Sequence, residues 1–279
     1  MLRRNAIGVL LGGLARGGAK GLERFFDSAR ASAVLVDARE RRLVASGGFA
    51  GRAIEPPGSA VKPLVIAALI ESGRLKANEA FPCPRRLRIG GRSFDCIHPE
   101  IATPVGIDVA LAYSCNCFVA RVAERFERGE LARELERFGL GSATGWFGDE
   151  AVGHVRALVN PDEQRMQALG EMGVEVTAAG LAMAYRRLAI KTDAAVLKGL
   201  REAVEFGTAQ NARVAQVEVA GKTGSAMNRE GEPVAWFAGF VPASEPRAVV
   251  VVMTPGGSGG ADAAPVARRI LEAYVAGAL

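Results

Sequence analysis

The sequence predicts an α+β fold, with an antiparallel sheet formed from both chain ends and an inserted helical lobe. β-rich segments occur between residues 31 and 48 and again between 214 and 254, and the stretches between them have helical patterns. At 279 residues, 49% of them hydrophobic, the chain can bury a core for one or two domains. We place the sheet at about 29–58 and 205–279 and the lobe at about 59–204.

Residues 1–28 are expected to precede this domain. Basic residues at positions 3 and 4, an apolar stretch at 6–15 and small residues at 17–19 outline a secretory signal. Arg16 interrupts the outline, and the apolar part is too short to span a bilayer. The segment favours export, with a loose N-terminal tail as the alternative.

The elements follow the chain in a simple order. A polar turn at 39–42 joins two short strands at 33–37 and 43–48, so the domain opens with a hairpin. The predicted helices cover 64–72, 109–122, 176–188, 194–204 and 263–274, and the predicted late strands cover 214–226, 234–241 and 247–254. Residues 82–99 contain prolines, glycines and arginines typical of a surface excursion.

A serine and a lysine lie at the start of the first predicted helix, in the string PGSAVKP at residues 57–63. Since proline is tolerated only near a helix's first turn, Ser59 is expected at the N-terminal end. Lys62 follows three residues later, which can bring its amine within reach of the Ser59 hydroxyl. Ser-x-x-Lys alone is better explained by a helix cap and a solvated lysine.

Two further motifs favour chemistry at Ser59. Ser114 and Asn116 lie in the helix-like run 109–122, and Lys222-Thr223-Gly224 follows strand-like residues 215–220. The three motifs together, in this order, are similar to the set of penicillin-binding proteins and serine β-lactamases. Residues 31–279 resemble a penicillin-binding transpeptidase domain, with supporting stretches at 112–116, 176–185, 221–226 and 236–242.

The resemblance implies roles for each motif residue. Ser59 would be the acyl-accepting nucleophile and Lys62 its base, made neutral by burial and by a second cation, Lys222. Ser114 would relay the proton to the leaving amine, and Asn116 would hold Lys62 and the substrate amide. The side chains at 222, 223 and 225, with Gly224 between them, would bind the substrate's terminal carboxylate. The backbone N–H groups of Ser59 and Ser225 would meet the oxyanion.

The implied activity is D,D-transpeptidation of peptidoglycan. The enzyme would attack a D-Ala-D-Ala stem peptide, release D-alanine and transfer the acyl group to an amine, and β-lactams would acylate the same serine. A D,D-carboxypeptidase or a β-lactamase is the alternative, although no class A Glu-x-x-x-Asn pattern occurs. A non-catalytic β-lactam sensor or a binding pseudoenzyme is an alternative of another class.

The resemblance implies that the protein needs no cofactor. It also implies an exported protein, in the periplasm or at the outer face of the cytoplasmic membrane, with a glycosyltransferase or another cell-wall protein as a possible partner.

Four cysteines leave two interpretations open. In an exported protein Cys83 and Cys96 could form a disulfide. Alternatively Cys83, Cys96, His98 and Cys117 could bind zinc, since the ligand types suit that ion, although the spacing is not a compact Cys-x-x-Cys pair. Nucleic-acid binding is not expected, because a net charge of +5 is modest and only 6% of residues are aromatic.

Overall fold

The computed structural model describes residues 20–279. Within them a six-stranded sheet has the order β1-β3-β2-β6-β5-β4. All its pairs are antiparallel except β1 with β3. The strands are β1 (Lys20–Gly21), β2 (Ser32–Asp37), β3 (Leu43–Gly47), β4 (Ala220–Met227), β5 (Pro233–Val241) and β6 (Ala248–Pro255).

The central strands are apolar on both faces because both faces are covered. Along β6, Val249 and Val251 belong to one hydrophobic cluster, and Val250 and Val252 belong to the other. The first cluster includes the helical lobe, and the second includes the C-terminal helix. A strand buried on both sides is expected to be continuously hydrophobic rather than alternating.

The helices lie between β3 and β4, apart from the last. They are α1 (Lys62–Glu71), α2 (Ile107–Ala112), α3 (Asn116–Ala123), α4 (Glu130–Phe138), α5 (Pro161–Ala168), α6 (Ala178–Ile190), α7 (Ala194–Glu205) and α8 (Ala264–Val275). Two-residue strands pair Ala80–Phe81 with Val105–Gly106, Arg88–Ile89 with Arg92–Ser93, and His154–Val155 with Val174–Glu175. In α1 every side chain from Lys62 to Leu69 is buried, so this helix forms the centre of the lobe.

The α+β prediction is confirmed, and three local predictions differ from the structure. The run 109–122 is not one helix, because the chain breaks between α2 and α3. The strand predicted at 214–226 begins only at Ala220. Residues 20–21, expected outside the domain, pair with β3, and the buried Leu22 follows them. The signal-like residues 1–19 lie outside the described part of the chain.

From residue 20 onward, no helix combines the length and apolar character that crossing a membrane requires.

Candidate active site

Ser59 lies in a 3₁₀ turn, Gly58–Val61, that leads directly into α1. Two buried side chains hold this turn and the residues just before it. The indole Nε1 of Trp236 donates to the Pro56 carbonyl at 2.9 Å, and the Tyr185 hydroxyl donates to the Ala60 carbonyl at 2.8 Å. The turn is therefore anchored both to the sheet, through β5, and to the lobe, through α6.

Glycines allow the Ser59 turn to approach β4 closely. Gly58 has a φ of +51°, and a Cβ there would lie 2.3 Å from the Ser225 carbonyl oxygen. A Cβ on Gly224 would lie equally close, at 2.3 Å, to the Pro57 carbonyl oxygen. Both distances are far below van der Waals contact, so only glycine fits on either side of this junction. The Lys-Thr-Gly strand is thus held directly against the Ser59 turn.

The Lys62 amine is fully buried beneath the cleft and binds the Ser-x-Asn motif. Its Nζ donates to the Ser114 carbonyl at 2.9 Å, to Ser114 Oγ at 3.2 Å and to Asn116 Oδ1. Among the described residues no hydrogen bond joins Lys62 to Ser59, although the sequence spacing suggested one. Asn116 in turn donates from Nδ2 to the Phe94 carbonyl at 2.9 Å.

The Ser-x-Asn motif occupies the break between α2 and α3. Ser114 has a φ of +58°, which ends the first helical run, and Cys115 begins the next as its N-cap. This conformation is uncommon for a residue other than glycine. It turns both the carbonyl and the hydroxyl of Ser114 toward Lys62, which a continuous helix would not do.

Lys222 is also fully buried, on β4, and its Nζ donates to the Thr223 carbonyl at 3.0 Å. The hydroxyls of Thr223 and Ser225, on the same strand, are positioned by hydrogen bonds to neighbouring residues. Thr223 Oγ1 donates to Thr208 Oγ1 at 2.8 Å, and Ser225 Oγ accepts from the Gly259 N–H at 3.0 Å. Because β4 is an edge strand, its backbone also offers unpaired polar groups on its outer side.

Burial shifts the pKa values of both lysines downward. Desolvation lowers the pKa of Lys62 to about 8, while the nearby cysteine sulfurs and Glu171 oppose that change. Desolvation, and then the charge of Lys62, hold the pKa of Lys222 well below its ordinary value. Of the two causes expected to lower the pKa of Lys62, burial is thus the main one, ahead of the second cation, Lys222. With a pKa of about 8, about a tenth of Lys62 is a neutral amine at pH 7.

One cleft joins the predicted residues. It is lined by Ser59, Ser114, Asn116, Thr223, Gly224 and Ser225, with Lys62 and Lys222 buried. The sequence prediction missed the other lining residues, which are Asp95, Ile97, Tyr113, Thr208, Ser258, Gly259 and Gly260. The Gly-rich break at 256–260 was a visible signal for the last three, whereas Thr208 has no recognisable motif.

The cysteines do not pair as a disulfide. All four thiols are free, and the sulfurs of Cys83 and Cys96 lie 3.8 Å apart. Of the four residues predicted as a zinc set, Cys83, Cys96 and His98 come together, but Cys115 takes the place given to Cys117. Cys115 is the N-cap of α3, so its sulfur faces back toward residues 83–98, whereas the Cys117 sulfur lies 3.9 Å from the Arg86 carbonyl oxygen.

A hydroxyl at a helix N-terminus, close to buried amines and free backbone polar groups, is the arrangement used by active-site serine enzymes. The family model for the penicillin binding protein transpeptidase domain matches residues 31–272, so the chain belongs to this family. The family and the fold predicted from the sequence are thereby confirmed.

Two curated relatives and one solved structure are similar to the chain. A peptidoglycan D,D-transpeptidase PbpA of Mycolicibacterium smegmatis is 26% identical over 268 residues, covering 78% of this chain and 54% of the relative. A PbpA of Mycobacterium tuberculosis is 34% identical over 102 residues, covering 33% of this chain and 21% of the relative. The chain therefore spans about half the length, or less, of these relatives. The crystal structure of Pseudomonas aeruginosa PBP2 in complex with WCK 5153 superposes with a TM-score of 0.80 at 20% identity, covering 91% of this chain and 72% of that one.

Proposed function

We propose that the protein is a peptidoglycan D,D-transpeptidase that acylates Ser59 with D-Ala-D-Ala stem peptides and, in the same way, with penicillins. The observation that carries the proposal is the position of the buried Lys62 amine. It is held by Ser114 and Asn116 below a cleft whose walls include Ser59 and the Lys-Thr-Gly strand. Family membership and the PbpA relatives support the same activity.

Acylation would begin with removal of the Ser59 proton. Neutral Lys62 is the base, and burial favours the neutral form. The Ser59 oxygen then attacks the penultimate D-alanine carbonyl, and the N–H groups of Ser59 and Ser225 stabilise the oxyanion. Ser114, within 3.2 Å of Lys62 Nζ, passes the proton to the departing D-alanine amine. The amine of a second stem peptide resolves the ester, restoring free Ser59.

Substrate binding is assigned to the outer side of β4. The hydroxyls of Thr223 and Ser225 line the cleft beside Gly224. Ser225 Oγ accepts from the Gly259 N–H and so can donate its own proton to a terminal carboxylate, and Thr223 Oγ1 can do the same when Thr208 becomes the donor of the bond between their hydroxyls. Lys222 is buried behind them and bonded to the Thr223 carbonyl, so it fixes the strand rather than contacting the carboxylate directly. We place the enzyme outside the cytoplasm, where this substrate lies, and infer that a glycosyltransferase or another cell-wall protein supplies the glycan strands.

Covalent labelling with a fluorescent penicillin, followed by intact mass over hours, tests the proposal. We expect one stable adduct on the wild type, none on Ser59→Ala and an unchanged adduct on Ser93→Ala, which alters an exposed serine on a short strand. Rapid return to the free mass would instead indicate a β-lactamase. Failure of the folded wild type to form an adduct would contradict acyl-enzyme chemistry and favour a binding pseudoenzyme.

A second assay separates transpeptidase from carboxypeptidase. The protein is incubated with a D-Ala-D-Ala stem peptide and an excess of an acceptor amine, and the products are identified by mass. Transpeptidation predicts an amide of the acceptor, lost in Ser59→Ala. Hydrolysed peptide as the sole product would assign the chain as a D,D-carboxypeptidase.

A further inference from the structure

A cluster of three sulfurs and one imidazole lies directly behind the active site. The ligand atoms of Cys83, Cys96, Cys115 and His98 all lie within 4.8 Å of one another. Cys83 is partly buried, and the other three residues are buried. We propose that these four residues bind one Zn²⁺ ion, and that the ion holds the Ser-x-Asn motif in its working conformation.

Four of the six separations between the ligand atoms match those of tetrahedral zinc, and the other two are within 4.8 Å. With Zn–S bonds of about 2.3 Å, tetrahedral angles place sulfurs about 3.8 Å apart, and a sulfur about 3.6 Å from an imidazole nitrogen. The sulfur of Cys115 lies 3.5 Å from that of Cys83 and 3.7 Å from that of Cys96, and the sulfurs of Cys83 and Cys96 are 3.8 Å apart. Cys83 Sγ lies 3.5 Å from His98 Nε2. Thiol hydrogen bonds alone do not require three sulfurs and a nitrogen to converge on one point.

The histidine is held in the tautomer that a metal ligand needs. His98 Nδ1 lies 2.7 Å from the Pro99 carbonyl, which can only accept, so Nδ1 carries the proton. The lone pair of Nε2 then faces the sulfurs. Zinc-bound histidines commonly donate their second ring N–H to a carbonyl or carboxylate in this way.

Backbone groups at the start of α3 already point at the sulfurs. The Cys117 N–H donates to Cys96 Sγ and the Phe118 N–H donates to Cys115 Sγ, both at 3.5 Å. Such bonds favour thiolates, the form that binds zinc. On binding, the three thiols release their protons to solvent as three Zn–S bonds and one Zn–N bond form, with no change in oxidation state.

The proposed zinc site is connected to the active site at two places along the chain. Cys115 lies between Ser114 and Asn116, both of which bind Lys62. Phe94, two residues before Cys96, accepts the Asn116 amide N–H. One ion would thus tie the 83–98 segment to the Ser-x-Asn break. This second part of the proposal rests on the proposed function, whereas the metal site itself does not.

Metal analysis of the full chain, purified without chelator, tests the site. We expect about one zinc per chain, loss of most of it in Cys83→Ser and His98→Ala, and full retention in Cys117→Ser. Cys117 is the matched control, since its sulfur lies 3.6 Å from Cys96 Sγ but outside the four-residue set. Equal zinc loss in Cys117→Ser, or a folded wild type without zinc that takes up none on addition, would overturn the proposal. A Cys83–Cys96 disulfide found by mass would overturn it too.

Cobalt substitution gives a readout that needs no variant. Co²⁺ in place of zinc should show intense thiolate-to-cobalt charge-transfer absorption and the visible bands of a tetrahedral ion. Bands typical of octahedral oxygen ligation would contradict the assignment.

The link to catalysis is tested by removing zinc and measuring penicillin acylation, which should slow at least tenfold and recover when zinc is returned. If zinc binds but its removal leaves acylation unchanged, the site stands and the coupling is rejected; failure of acylation with zinc bound would instead count against the proposed function.

Discussion

At the residue scale, the decisive feature is an amine with no exposure to water. Burial penalises the charged form of Lys62, the base of the proposed mechanism, and the polar groups around the amine are two oxygens of Ser114 and one of Asn116. Neutral oxygen acceptors keep the amine in place without adding a full negative charge. A carboxylate in the same position would favour the ammonium ion and remove the base.

The rate of penicillin acylation should therefore depend on the protonation of Lys62. Because the neutral amine forms as pH rises through the pKa of about 8, the second-order acylation rate should increase from pH 6 to pH 9 and then level off. In Asn116→Asp the new carboxylate should raise the pKa of Lys62 by about one unit or more. Acylation at pH 7 should then fall about tenfold or further and recover partly at high pH.

Asn116→Ala is the control for this change. It removes both hydrogen bonds of the Asn116 amide, to Lys62 and to the Phe94 carbonyl, but adds no charge, so its rate should fall without an upward displacement of the pH profile. Stopped-flow acylation from pH 6 to 10 gives both quantities. Equal losses for Asn116→Asp at every pH would show that the carboxylate does not act through Lys62.

At the element scale, the close junction between the Ser59 turn and β4 sets the cleft. Gly58→Ala would bring a Cβ to 2.3 Å from the Ser225 carbonyl at a φ of +51°. We expect a loss of at least about 1–3 kcal/mol in the free energy of unfolding and a large fall in acylation rate, because the turn must move away from β4.

Gly231→Ala is the control that separates the effect of backbone strain from the effect of moving the Ser59 turn away from β4. Gly231 also has positive φ, +77°, but nothing lies within 4 Å of an added Cβ. Its substitution should cost about 1 kcal/mol and leave acylation unchanged. Urea unfolding and acylation rates measured on both variants make the comparison. Similar acylation rates for the two would mean that the junction does not position Ser59.

The sequence predicted most elements but not the break at the second motif. Residues 109–122 are rich in apolar and helix-compatible side chains, so their pattern favours one helix. The break depends on Ser114 at φ +58°, a conformation that contacts with the distant Lys62 stabilise. Contacts between residues 52 positions apart leave no local signal. The same holds for the sulfur of Cys115, which joins the cluster only because α3 starts there.

At the scale of the whole molecule, strand composition predicted a sheet made from both termini, while the strand order came from tertiary packing. Valines 249–252 are apolar at every position, which indicates burial on both faces and a central place in the sheet. The same pattern says nothing of which strand becomes the edge. That β4 lies at the edge matters for function, because the cleft needs its outer side.

The sheet and the lobe share one hydrophobic core, and this predicts how the molecule unfolds. One cluster contains Trp236 and Phe240 of β5, Val249 of β6 and the apolar residues of α1, α3 and α6. Neither part can lose its structure without exposing apolar surface of the other, so unfolding should be a single cooperative transition.

A single-tryptophan variant can test this cooperativity. In Trp146→Phe the remaining tryptophan, Trp236, is fully buried in the sheet and bonded to the Ser59 turn, so its fluorescence reports on the sheet side. Far-UV circular dichroism at the helical signal reports chiefly on the lobe, which holds seven of the eight described α-helices. The two urea midpoints should coincide, and penicillin acylation should move both upward together. A helical transition at lower urea than the fluorescence transition would show instead that the lobe unfolds separately. The Ser59 turn, which is anchored to both parts, would then lose its structure together with the lobe, before the sheet unfolds.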